Sequence, residues 1–300
     1  MKKVILSISA MLFVSAFGTA QILPGTIAPN TSYVNQTGSS QDAFVHQIGT
    51  AQSSSVKQMN WDNTSQVFQG VNPGQMTVLG VNISHDNLAE VVQNGEQNIA
   101  YISQNNWRNK AYQTQVGNKN DATIWQDETN VSYGLFTGNL KGEDKATQKQ
   151  TGNSNKATID QGTSGNTLPT AAVFTGMAAL STSVPASPHG RNDATQTQNG
   201  KFGEAYASQG GLDNESNQTQ TSGAFATATS KNVSNHYQFG NDNLATSTQT
   251  GYRNIENVLQ EGNGNKSYGT QSAASILSTG NASVVIQQGN MNLSNVIQSN

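Results

Sequence analysis

A chain of 300 residues is long enough for one or two domains, yet only 11% of it is charged, against roughly 25% in typical soluble domains. Asn, Gln and Gly (36, 30 and 29 residues) supply nearly a third of all positions, there is no cysteine, and the net charge is −3. Disulfide frameworks and thiolate metal sites are thereby excluded, and no basic cluster marks a nucleic-acid surface. So polar and weakly charged a chain is either an aggregation-prone disordered tract or a repeat with amides in its core, and periodicity decides between them.

In chain order, residues 1–20 read as a secretory signal peptide. Lys2 and Lys3 precede an apolar run from Val4 to Phe17, and Gly18-Thr19-Ala20 suits cleavage after Ala20. That run is short of the roughly 20 residues needed to span a bilayer, so export to the extracellular space is expected, without stable membrane insertion. Residues 21–34 form a lead segment outside the repeat. Residues 35–162 and 191–300 carry the repeat. Between them, residues 163–190 hold Pro169, Pro185, Pro188 and the run Ala171–Leu180, and read as an irregular insert or degenerate repeats.

The repeat is set by glutamine at a period of eleven: Gln36, Gln47, Gln58, Gln69, then Gln93, Gln104, Gln115, Gln126, then Gln150 and Gln161. It resumes at Gln198, Gln209 and Gln220, continues through Gln238, Gln249, Gln260 and Gln271, and closes with Gln287 and Gln298. The two 24-residue gaps, Gln69 to Gln93 and Gln126 to Gln150, read as one degenerate unit each, with a turn insertion near Thr77–Val81 and Val131–Thr137. Asn stands six before Gln (position −6) at Asn63, Asn87, Asn98, Asn109, Asn120 and Asn155, and again at Asn192, Asn214, Asn243, Asn265, Asn281 and Asn292. Ala or Ser recurs at −4, Val or Ile at −2, and Gly at +2.

Positions −6, −4, −2 and 0 share one face of a strand, because strand side chains alternate, whereas a helical period would scatter them. Gly, Asn and Asp between units supply turns. Eleven residues cannot fold alone, so units must stack, two strands per 22-residue coil, with Gln47 beside Gln69 and Gln104 beside Gln126. Parallel in-register stacking then satisfies each buried amide through its neighbour about 4.8 Å away. The expected fold is all-β, a cross-β solenoid of about 12 coils, disordered before it polymerises.

The segments Asn98-Ile-Ala-Tyr-Ile-Ser-Gln104, Asn109-Lys-Ala-Tyr-Gln-Thr-Gln115-Val-Gly117 and Asn243-Leu-Ala-Thr-Ser-Thr-Gln249-Thr-Gly251 carry a family pattern. They resemble the curlin repeat of curli fibre subunits, and the resemblance extends over roughly residues 35–300. It implies a secreted subunit that polymerises with itself as a cell-surface amyloid for adhesion and biofilm matrix. It also implies a nucleator subunit, an outer-membrane export pore and accessory chaperones as partners. A major-subunit role is favoured, because the final units are not basic; a nucleator-type minor subunit is the alternative. This chain departs from the family in its greater length and in residues 163–190.

No catalytic, cofactor or metal constellation is expected. His46, His85, His189 and His236 are scattered and read as surface or turn residues, and Asp and Glu read as mostly turn or outward residues. Asp42, Lys57, Glu90 and Asp160 read as gatekeepers against premature association. Trp61, Trp107 and Trp125 fall on turns or the outward face. The sequons at Asn63, Asn214, Asn232, Asn281 and Asn292 follow from Ser replacing Ala at −4 of the repeat. A soluble surface- or ice-binding solenoid is a further alternative. It would need an outward threonine ladder, and Thr195 with Thr197 and Thr227 with Thr229 do not recur coil after coil.

Overall fold

The computed structural model describes residues 29–70, 77–78, 81–82, 84–105, 107–126, 142–162 and 190–300. The expected signal peptide, most of the lead segment, the turn expected at Val131–Thr137, His189 and nearly all of 163–190 lie outside the described residues.

The strands follow in chain order as β1 (Thr31–Ser39), β2 (Asp42–Gln47), β3 (Ser53–Trp61), β4 (Thr64–Gln69), β5 (Thr77–Val78), β6 (Val81–Asn82) and β7 (Leu88–Glu96). Next come β8 (Ile99–Gln104), β9 (Lys110–Val116), β10 (Asp121–Gln126), β11 (Lys145–Asn153), β12 (Lys156–Gln161), β13 (Asp193–Lys201) and β14 (Glu204–Leu212). The last are β15 (Glu215–Ser222), β16 (Val233–Asn241), β17 (Leu244–Gly251), β18 (Ile255–Glu261), β19 (Lys266–Ala273), β20 (Ala282–Gln288) and β21 (Leu293–Ser299). Apart from the short antiparallel pair β5–β6, odd-numbered strands build one ten-stranded parallel sheet and even-numbered strands a second, nine-stranded one. The protein is thus an all-β parallel solenoid whose chain alternates between two facing sheets.

Register is set by the repeat. Gln36 pairs with Gln58, Gln104 with Gln126, Gln220 with Gln249, and the same position matches along both sheets. A one-residue slip would turn every inward side chain to solvent. The buried positions alternate as the sequence pattern requires, as in β10, where Ala122, Ile124 and Gln126 point inward. Val56, Val67, Val91, Ile102, Ile124 and Ile159 pack with alanines into a narrow aliphatic core between the sheets.

The coil count is lower than expected. Ten and nine strands make nineteen half-coils rather than about 12 full coils. The reason is that the strands on either side of the 24-residue gaps and of residues 163–190 pair directly with one another. β4 pairs directly with β8, β9 with β11, β10 with β12, β11 with β13, and β12 with β14. The expected degenerate unit after Gln69 is instead an excursion at the corner that carries β5 and β6, outside the stack. The first unit also begins earlier than expected. β1 starts at Thr31, and Asn30, Ser32, Val34, Gln36 and Gly38 satisfy the whole repeat frame.

Candidate functional site

The two glutamine columns are built from the position-0 residue of every half-coil. In the odd sheet each Nε2 donates to the next Oε1: Gln36 to Gln58 (2.8 Å), then on through Gln93, Gln115 and Gln150. The column continues through Gln198, Gln220, Gln249 and Gln271 to Gln298. In the even sheet Gln47, Gln69, Gln104, Gln126 and Gln161 are joined in the same way (2.8–2.9 Å). Gln209, Gln238, Gln260 and Gln287 complete that column. The second Nε2 hydrogen crosses to a carbonyl of the facing sheet, as from Gln104 to Leu88 (3.0 Å) and Gln115 to Ile99 (2.8 Å). Every amide hydrogen of an interior rung therefore has an acceptor, which is what allows so many primary amides to be fully buried.

The asparagine columns stand at the corners and point the opposite way. Asn98 Nδ2 donates back to Asn63 Oδ1 (2.9 Å), Asn120 to Asn98, and Asn155 to Asn120. In the odd sheet Asn87 Oδ1 accepts from the Asn109 backbone N–H, while Asn214, Asn243 and Asn292 donate side chain to side chain to the rung before. Asn192, Asn265 and Asn281 hold the same place in their rungs. Many of these Asn side chains also reach the carbonyl of a +2 glycine one coil on, as from Asn98 to Gly117 (2.7 Å) and Asn243 to Gly262 (2.9 Å), whereas Asn109 and Asn292 bond instead to carbonyls of their own turns. Most corner glycines, though not Gly264 or Gly289 near the last rungs, have no room for a side chain. A Cβ on Gly240 (φ +113°) would lie 2.1 Å from the Gly262 carbonyl oxygen. The sequon asparagines Asn63, Asn214 and Asn232 are buried within these columns.

Several ladder members escaped the sequence reading. Asn232 and Asn254 obey the −6 rule and bond to each other (3.1 Å). Asp144 stands in for Asn at −6, its Oδ1 accepting from Asn192 Nδ2 (3.0 Å). A second glutamine column occupies position −2 of four successive odd strands, Gln113 to Gln148 to Gln196 to Gln218 (2.8–3.0 Å). The signal for it was present, because each is Gln-x-Gln with a main-ladder residue.

Two ionisable side chains also lie inside, which corrects the expectation that His and Glu stay at turns and on the outer face. His236, at −2 of β16, is fully buried, with Nδ1 2.9 Å from Ser216 Oγ and no partner for Nε2. Burial pulls its pKa down to about 3. Glu256, at −4 of β18, is fully buried and accepts from Ser247 Oγ (2.6 Å) over the space left by Gly269. Burial pushes its pKa up to about 7, with the Ser247 hydrogen bond opposing. Asp160 is likewise buried despite its outward position, unlike the exposed Asp42, Lys57 and Glu90. His85 sits at a corner and stacks on Trp107 (centroids 4.9 Å apart), and His46 is exposed. Trp125 closes an outward aromatic row, Phe44–Phe68–Tyr101–Trp125, with centroids 5.5–6.1 Å apart, while Trp61 is exposed.

Compared with known proteins, the chain matches no family model and no curated relative. Among the described residues, no group of three or more His, Asp or Glu side chains could hold a metal ion, and no helix is long and apolar enough to cross a membrane.

The outward faces of the two sheets differ. On the even sheet, Ser103, Asp160, Ser208, Tyr237 and Leu259 at position −1 are buried. On the odd sheet, position −1 carries Thr197, Thr219, Thr248 and Thr270 on four consecutive rungs, mutually paired and facing outward. Position +1 adds Thr221 and Thr250, and position −3 adds Thr195 and Thr246. The −1 threonines recur coil after coil, although the pair Thr195 with Thr197 does not, because position −3 holds Asn217 on β15 and Tyr268 on β19, and Thr227 and Thr229 lie between strands.

Proposed function

We propose that this chain is the secreted structural subunit of a curli-like fibre, polymerising head to tail through the ends of its solenoid, for cell adhesion and biofilm matrix. The observation that carries this reading is the unbroken pair of glutamine ladders, which run to end strands that, among the described residues, are paired on one side only: β1 and β2 at one end, β20 and β21 at the other. An unpaired strand edge is a template for another strand. The terminal rungs carry the same Gln and aliphatic frame as interior ones, with Asn at −6 in β1, β20 and β21 and Gln41 there in β2, so the rung of a second copy completes the glutamine ladder it meets. Contacts of this heterologous kind do not close into rings and generate filaments. The reading gives the chain no catalytic role, cofactor or nucleic-acid partner. The nucleator, export pore and chaperones that the curlin resemblance implies are its expected partners.

The test uses the chain from Gln21 to Asn300. At micromolar concentration it should form thioflavin-positive fibres whose diffraction shows strand spacing near 4.8 Å along the fibre axis. A monomer that stays fibre-free for days, with or without seeds, would refute the proposal.

A further inference from the structure

We infer that the outward threonine array of the odd sheet is an ice-binding face. This does not rest on fibre formation, because the whole array lies within one chain.

The first argument is repetition in two directions. Thr197, Thr219, Thr248 and Thr270 are in-register neighbours on β13, β15, β17 and β19, so their hydroxyls recur at the rung spacing of about 4.8 Å. Thr221 and Thr250 form a parallel row two residues along the strand, roughly 6.6 Å away. A ligand that recognises repetition rather than a single contour is a lattice. Each threonine offers it one hydroxyl to hydrogen-bond and one methyl beside which water orders.

Rigidity is the second argument. A β-branched side chain has few χ1 choices, so little entropy is lost when its hydroxyl is fixed. These rows also flank the bonded column Gln198–Gln220–Gln249–Gln271, which fastens each rung to the next from inside. Side-chain ladders of this kind are what keep a stacked sheet flat.

Charge and area select the occupant. From β13 to β19 the −1 and +1 rows hold only Thr, Asn and Ser, so they complement a neutral partner. Four rungs by three alternate positions cover roughly 19 by 20 Å, or about 380 Å². A standard protein interface needs about 800 Å² per partner, with Trp, Tyr or Arg anchors at its centre. The array is too small for a second copy or another protein, and its one aromatic, Tyr268 at −3 of β19, stands at its edge rather than its centre. Ice needs neither, because it adds one water-sized contact per hydroxyl.

The experiment is nanolitre osmometry and ice-recrystallisation assay on the soluble chain from Gln21 to Asn300. The wild type is expected to facet ice crystals and to hold a freezing-point gap. Thr219→Lys should reduce that gap at least fivefold. Thr248→Val, which keeps the shape and removes only the hydroxyl, should reduce it at least twofold. Phe44→Lys on the even sheet should leave it unchanged, and circular dichroism should show the same strand content in all four. No faceting by the wild type, or equal gaps in wild type and Thr219→Lys, would overturn the inference. So would binding to cellulose without faceting, which would give the face to a glycan, or self-association abolished by Thr219→Lys. Fibre growth is expected to survive Thr219→Lys, so the two proposals fail separately.

Discussion

Gln104 shows why amides can replace aliphatics in this core. It accepts from Gln69, donates to Gln126 and donates to the Leu88 carbonyl, all out of water. Gln104→Ala would strand three buried groups, each worth about 1–3 kcal/mol when unpaired. Urea unfolding should show a loss of about 3 kcal/mol or more, whereas Gln298→Ala, in a half-exposed terminal rung, should cost no more than about 1 kcal/mol. Gly240→Ala forces a left-handed residue against a carbonyl, and a loss of about 3 kcal/mol is expected in the same assay. These roles could be read from the sequence because main-ladder Gln, Asn and Gly each recur at a fixed offset. Asp144 could not be, since a carboxylate in an asparagine column is recognised only when its acceptor oxygen is seen in place.

β16 and β18 bring His236 and Glu256 into the same stretch of core, and their effects on stability run in opposite directions. Glu256 binds its proton more tightly folded (about 7) than unfolded (4.5), so its contribution is present below pH 4.5 and is lost as pH rises to 7. His236 binds its proton less tightly folded (about 3) than unfolded (6.5), so its contribution is present above pH 6.5 and is lost as pH falls toward 3. Between pH 4.5 and 6.5 the two slopes largely cancel. In Glu256→Gln, melting temperature should rise steadily from pH 3.5 to 6.5; in His236→Gln it should fall from pH 4.5 to 7. Parallel profiles for the two variants would show that these groups do not titrate as the packing requires. The strands themselves followed from the eleven-residue period, but these two side chains did not. Deciding that a titratable residue at an inward position stays inward requires seeing what makes room for it, here Ser216, Ser247 and Gly269.

The molecule as a whole tolerates irregularity because the breaks in its period fall between strands. Those after Gln69, Gln126 and Gln161 follow the ends of even strands, those after Ser222 and Ala273 the ends of odd strands, and pairing resumes in register beyond each. The sequence marked these places through broken periods. It could not reveal that they add no rung, because a degenerate strand and a loop of equal length look alike without the pairing. If the terminal strand is the growth point, prolines at Val296 and Ile297, removing N–H groups of both orientations, should stop seeded elongation at that end. Solution stability should fall far less than in Gln104→Ala. Elongation at the wild-type rate would place growth elsewhere.

The opposed amide columns give the stack a built-in arrow. From side chain to side chain, Gln36 donates toward later rungs, whereas Asn98 donates toward the earlier Asn63, and each column keeps its sense along the molecule. The two ends are therefore plug and socket rather than mirror images: one turns glutamine oxygens outward, the other glutamine hydrogens, with the asparagines reversed. In the glutamine columns, two copies meeting by like ends would set oxygen against oxygen at one end and N–H against N–H at the other. Only the unlike-ended meeting matches both columns at once, so a filament of these stacks has a front and a back, and every subunit in it faces the same way.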